Sequence, residues 1–203
     1  MTIFVSGLFF TRVTLRMNDY FDSIKYTKGN PPLELEDSEF VECTFNGCDL
    51  SEAVFRNTKV LESYFENCNL SNISVTNTTL RDVKFKGCKI IGVNWSSIQA
   101  MSDVSFEDCI LNFSVFQGLN LSGLAFKNCS IHEVDFSGSK LIKANFSSSS
   151  LTLSSFTDCS LEGADFREAT NYFIDPKFTN VKKARFSMPE AMVLLKSFDI
   201  ILD

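Results

Sequence analysis

The chain has 203 residues, a formal net charge of −6 and a pI near 4.9. That balance excludes a basic surface built to grip the phosphate backbone of nucleic acid and suits a basic partner instead. Glycine and proline are sparse, at 9 and 4 residues, which excludes a collagen-like or low-complexity chain.

Residues 1–34 are expected to form an irregular N-terminal segment or a first coil. Val5, Phe10, Leu15 and Tyr20 are spaced by five, with Ile3, Leu8 and Val13 two places before the first three. The spacing lapses between Asp22 and Pro32, where Lys28-Gly29-Asn30-Pro31-Pro32 reads as a turn. Met17 offers an alternative start, which would make residues 1–16 an extension. The apolar opening has no positive leading segment and no A-x-A-like cleavage site, so a signal peptide is not expected. No stretch is long and apolar enough to span a bilayer as a helix.

From Leu35 every fifth residue is large and apolar: Phe40, Phe45, Leu50, Phe55, Val60, Phe65 and so on to Trp95. The beat stumbles over Ser96–Asp103 and resumes one residue late, from Phe106 to Phe166. Neither a helix (period 3.6) nor a flat strand (period 2) produces this pattern, whereas a stacked solenoid does. Positions twenty apart match in type. Phe45, Phe65 and Phe85 form one column, Leu50, Leu70 and Ile90 the next, Phe55, Val75 and Trp95 a third, and Phe40, Val60 and Leu80 a fourth. Residues 35–170 therefore read as a four-sided all-β helix, rising roughly 4.8 Å per coil, with aromatics on two opposite faces. The extra residue near Ala100 is expected to bulge outward as a surface loop.

Cys43, Cys48, Cys68, Cys88, Cys109, Cys129 and Cys159 all precede a beat by two, a slot otherwise held by residues such as Ala53, Ser63 and Val83. They read as small buried hydrophobes. With no CxxC and a single histidine, His132, neither a disulfide set nor a metal site is expected. Free thiols fit the reducing cytoplasm. No nucleophile–base pair or phosphate-binding loop stands out, so neither an enzyme nor a cofactor is expected.

Residues 171–203 read as a cap and dimerisation tail. Ser187-Met188-Pro189-Glu190 has the form of an α-helix start, with Ser187 as N-cap and Glu190 as its capping-box partner. An open solenoid end needs such a cap. The apolar surplus in Met188, Met192, Leu195, Phe198, Ile200, Ile201 and Leu202 is assigned to a two-fold homodimer.

The outward slots supply the candidate partner surface. Residues 36–170 hold 18 acidic and 10 basic residues, so the rod carries the acidity. The densest acidic patch lies on the N-terminal half of the Phe40 face: Glu36, Asp37, Glu39, Glu42, Glu62, Asp82 and Asp103. Ser97, Ile98, Gln99 and Met101 join it from the stumble. Ile91, Ile110 and Phe113 form a small outward apolar patch on the Leu50 face.

Units such as Ala164-Asp165-Phe166, Ala144-Asn145-Phe146 and Cys48-Asp49-Leu50 resemble the A(D/N)Lxx signature of the pentapeptide repeat family. More narrowly, Gly92-Val93-Asn94-Trp95, Cys109-Ile110-Leu111-Asn112, Asn171-Tyr172 with Ile174-Asp175, Ala184-Arg185-Phe186-Ser187, Pro189-Glu190-Ala191 and Asp199-Ile200 are similar to its albicidin-immunity branch, which resembles the quinolone-resistance and microcin-immunity proteins. The resemblance implies a right-handed quadrilateral β-helix, dimeric through C-terminal helices. It also implies a rod that mimics B-DNA, occupies the DNA saddle of gyrase or topoisomerase IV and relieves a poison. Long protective loops found in some branch members are lacking after Leu35. The alternative is the same scaffold serving a different protein.

Overall fold

A computed structural model describes residues 19–32 and 35–198. Within them the chain winds into a parallel β-solenoid of about eight turns. Its corners explain the repeat. Two places after each beat the backbone enters the left-handed region, as at Glu42 (φ 53°), Asn67 (φ 53°), Asp108 (φ 56°) and Gly87 (φ 61°). Asn, Asp and Gly tolerate that conformation best, which is why they recur there. At Gly87 a Cβ would also lie 2.5 Å from Asn67 Oδ1. The Asp or Asn just before a beat spans the beat residue: Asp49 accepts from Ser51 N–H at 3.2 Å, Asn145 from Ser147 N–H at 2.9 Å and Asp165 from Arg167 N–H at 3.1 Å. These side-chain turns give the motif its polar position.

Coils pair in parallel with beat on beat: Phe40 with Val60, Phe45 with Phe65, Phe85 with Phe106. Rings on the Phe45 face stack continuously through Tyr26, Phe45, Phe65, Phe85, Phe106, Phe126, Phe146, Phe166 and Phe186, with centroids 4.3 to 5.2 Å apart. Trp95, Phe116, Phe136 and Phe156 stack on the opposite face. The two stacks meet edge to face across the core, as in Phe116–Phe126 at 5.7 Å and Phe136–Phe146 at 5.6 Å. Both geometries suit the ring quadrupole. Val75 interrupts the second stack and leaves a small apolar cavity between Phe55 and Trp95.

The slot two before each beat does more than fill space. Ser149 Oγ donates to Phe126 O at 2.7 Å and accepts from Cys129 N–H at 2.9 Å. Ser154 does the same with Ile131 O and Val134 N–H. These backbone groups lie at buried corners, where an unpaired polar group is costly. The cysteines serve one half of that role: the thiols of Cys88, Cys109 and Cys129 donate to Phe65 O, Phe85 O and Phe106 O at 3.4 to 3.5 Å. All seven cysteines are free and buried. Hydrogen bonding with the next thiol, Cys129, pushes Cys109 up to about 12, with burial acting in the same direction.

Three expectations are corrected. Phe21, not Tyr20, sits over Phe40, and Tyr26 over Phe45, because this coil is one residue short; Tyr20 is exposed. The predicted turn after it forms, with Thr27 and Asn30 exchanging backbone hydrogen bonds. Coil pairing continues past residue 170, through Asn180 on Ser160 and Phe186 on Phe166. Here Tyr172 and Ile174 fill the core in place of a regular beat. Finally, Glu190–Phe198 is a 3₁₀ rather than an α-helix, and the capping box is absent. Ser187 Oγ instead accepts from Glu168 N–H at 3.1 Å, tying the cap to the last coil. Val5, Phe10, Leu15 and the alternative start at Met17 lie outside the described residues.

Candidate partner-binding face

The structure divides the predicted acidic residues into two groups. Glu36 pairs with Arg56, Asp37 accepts from Asn57 Nδ2 at 2.7 Å, and Glu39 pairs with Lys59 at 3.1 Å. Glu42, Glu62, Asp82 and Asp103 behave differently. All four occupy the left-handed corner between the Phe40 and Phe45 faces, on successive coils. They are exposed, and among the described residues none of them forms an ion pair. Successive coils are about 4.8 Å apart, so like charges are stacked at close range. The same corner continues as Gly123, Lys143, Gly163 and Lys183, and the acidic column is confined to one half of the rod.

The stumble adjoins this column. Trp95–Ser97 forms a 3₁₀ turn whose Asn94 side chain accepts from Ser96 N–H, and this replaces the usual left-handed corner. Ile98 then turns inward and packs in the core, so the outward loop expected of it is wrong at that residue. An apolar side chain at the slot position gains more from burial than from solvent. Gln99 carries the surplus: the amides of Gln99 and Ala100 both donate to Thr78 O, at 2.9 and 3.3 Å. This two-against-one arrangement is a β-bulge. Ser97 and Gln99 are exposed and Met101 is half-buried.

The bulge breaks the ladder below it. Asp82 N–H donates to Ser102 O, and Gly123 N–H to Ile142 O, yet the equivalent bond from Asp103 to Ser122 is missing. Leu121 N–H reaches Lys140 O, but Met101 makes no such bond to Asn120. The sheet on the Phe40 face accordingly ends at Ala100–Ser102. A slit opens there, lined by Ile98, Gln99, Ala100, Met101, Leu119 and Asn120. The sequence showed the extra residue; it did not show that the backbone pairing fails beside it.

At the C-terminal end, 3₁₀ geometry eclipses residues three apart. Met192, Leu195 and Phe198 therefore share one ridge, while Val193 and Leu194 pack on the core. Met188 and Phe198 are largely exposed. Ile200, Ile201 and Leu202 lie outside the described residues. On the Leu50 face Ile110 and Phe113 are exposed and Ile91 is half-buried. Phe113 meets His132 edge-on at 5.5 Å, and His132 Nε2 lies 2.9 Å from Glu133. Among the described residues no set of His, Cys, Asp or Glu is arranged to hold a metal, and no helix is long and apolar enough to cross a membrane.

A stacked four-sided coil with varied outward residues on a repeating apolar core defines a β-solenoid scaffold. The chain belongs to the pentapeptide repeat family: the model for the pentapeptide repeat region matches residues 38–100 and 100–166. No curated protein matches. Among solved structures the chain is similar to full-length QnrB1, a plasmid-mediated fluoroquinolone resistance protein, at 12% identity and a TM-score of 0.50, covering 91% of this chain and 99% of that one. It is also similar to HetL, a pentapeptide repeat protein involved in heterocyst differentiation regulation from the cyanobacterium Nostoc sp. strain PCC 7120, at 14% identity and a TM-score of 0.44, covering 85% and 90%. Likeness at these identities concerns the fold.

Proposed function

We propose that this protein binds bacterial DNA gyrase or topoisomerase IV in the cytoplasm as a mimic of B-DNA and protects the enzyme from a poison. The observation that carries the reading is the stacked column Glu42, Glu62, Asp82 and Asp103, none of which forms an ion pair among the described residues although Arg81 shares its groove. Such a column weakens the fold by self-repulsion and fits a surface that meets cations on a partner. Family membership and the likeness of fold to a fluoroquinolone resistance protein support it. The test is gyrase supercoiling challenged with ciprofloxacin, albicidin or microcin B17. The protein at micromolar concentration should restore supercoiling or inhibit it directly; neither effect would remove this target. A second reading, a scaffold for another protein, is favoured by Lys59, Arg81, Lys84 and Lys86, which mix positive charge into the neighbouring faces.

The same proposal includes a two-fold dimer through Met188, Met192, Leu195 and Phe198. The eclipsed ridge supports it, since its side chains are not needed to cover the core. Changing Leu195 and Phe198 together to Glu should halve the mass measured by light scattering and leave the β-rich circular dichroism unchanged. An unaltered dimer mass would rule this interface out.

A further inference from the structure

We infer that the slit beside the Gln99 bulge is a docking site for an extended, basic protein segment that carries one apolar anchor residue. The lining supplies both parts of that chemistry. Ile98, Met101 and Leu119 give an apolar floor, with Met101 and Leu119 only half-buried. The interrupted ladder leaves Asp103 N–H and Ser122 O without the bond their equivalents make on neighbouring coils. Backbone groups of that kind are satisfied by an incoming polar chain. Asp103 follows the strand Ala100–Ser102, two residues beyond Met101, and Asp82 and Glu62 continue the acidic column along a shallow groove that also holds Arg81. A basic segment laid along the groove meets these carboxylates while its apolar residue enters the slit. Nucleic acid and anionic lipid are disfavoured by the same charges.

The inference rests on the rod being a protein-binding scaffold and not on the topoisomerase as its target. It is tested without any topoisomerase, using the full chain labelled with ¹³C at its methionine methyl groups. The probes are the peptide Lys-Arg-Leu-Lys-Arg, the same peptide with Ser replacing Leu, and Glu-Glu-Leu-Glu-Glu. The basic apolar peptide should shift the Met101 methyl signal saturably and leave Met188 and Met192 unmoved. Added salt, or Asp82→Asn with Asp103→Asn, should weaken binding several-fold. Deleting Gln99 restores the regular spacing with the acidic column intact, and should abolish the shift. Ala100→Phe, which plugs the slit from an exposed position, should do the same and covers the case in which the deletion does not fold. The proposal is overturned if Met101 does not move, if all three peptides move it equally, or if the folded slit variants bind like the parent. No rescue of gyrase alongside a normal titration would remove the target and keep the slit.

Discussion

Replacing Phe126 with alanine should destabilise the protein by about 3–5 kcal/mol, the range for removing a buried phenylalanine. Phe126 is fully buried and touches four rings: Phe106 at 5.2 Å and Phe146 at 5.0 Å in the stack, Phe116 and Phe136 edge-on at 5.7 Å. A solenoid coil contacts only its neighbours, so a cavity there loosens the coupling between the two halves of the rod. Urea unfolding should show a lower midpoint and a broader or two-step transition. Phe186→Ala provides the comparison, because Phe186 is half-buried and has its stacking partner, Phe166, on one side. Equal losses at the two positions would show that the ring stack does not set the stability.

Cys109→Asp should abolish folding near neutral pH, a larger effect still. The Cys109 thiol donates toward two carbonyl oxygens, Glu107 O at 3.2 Å and Phe85 O at 3.5 Å, and stands between the thiols of Cys88 and Cys129. A carboxylate there meets acceptors and finds no cation, so it is buried without compensation. Its folded pKa would lie above the unfolded value. The penalty is therefore present above the unfolded pKa and diminishes as pH falls toward it. Partial recovery of β-rich circular dichroism in acid is the expected signature. Cys109→Ser should fold normally, since Ser149 already occupies an equivalent slot with its hydroxyl on Phe126 O. A soluble, cooperatively unfolding Cys109→Asp protein at pH 7 would show that the slot is not closed to water.

Much of this was readable from spacing. The columns of Phe, Leu and Val predicted the four faces and the register across the extra residue, because beat residues pack against their own kind one coil away. The cysteines were placed in the core on the same argument. Their hydrogen bonds between coils were not visible, because those partners come from the preceding coil and leave no local mark. Ile98 was misplaced outward, since counting shows that one residue is surplus but not which one leaves the core. Tyr20 was misread because a short coil preserves the five-residue spacing within itself while shifting against its neighbour. The helix start at Ser187 carried every local signal of a capping box, yet its hydroxyl went to Glu168 N–H.

By itself the sequence determined the repeat, its period and its four faces, since a five-residue beat buries one apolar stripe per side and only a twenty-residue coil stacks residues of like type on one another. Tertiary structure alone decided which carboxylates are paired and which are free. Glu39 and Glu62 look alike in sequence, but Glu39 lies across the coil from Lys59, whereas Glu62 stacks on Glu42 and Asp82 at a corner. It also decided that the extra residue opens a slit. A single insertion can be absorbed by a turn or by the ladder, and that choice depends on contacts between coils twenty residues apart.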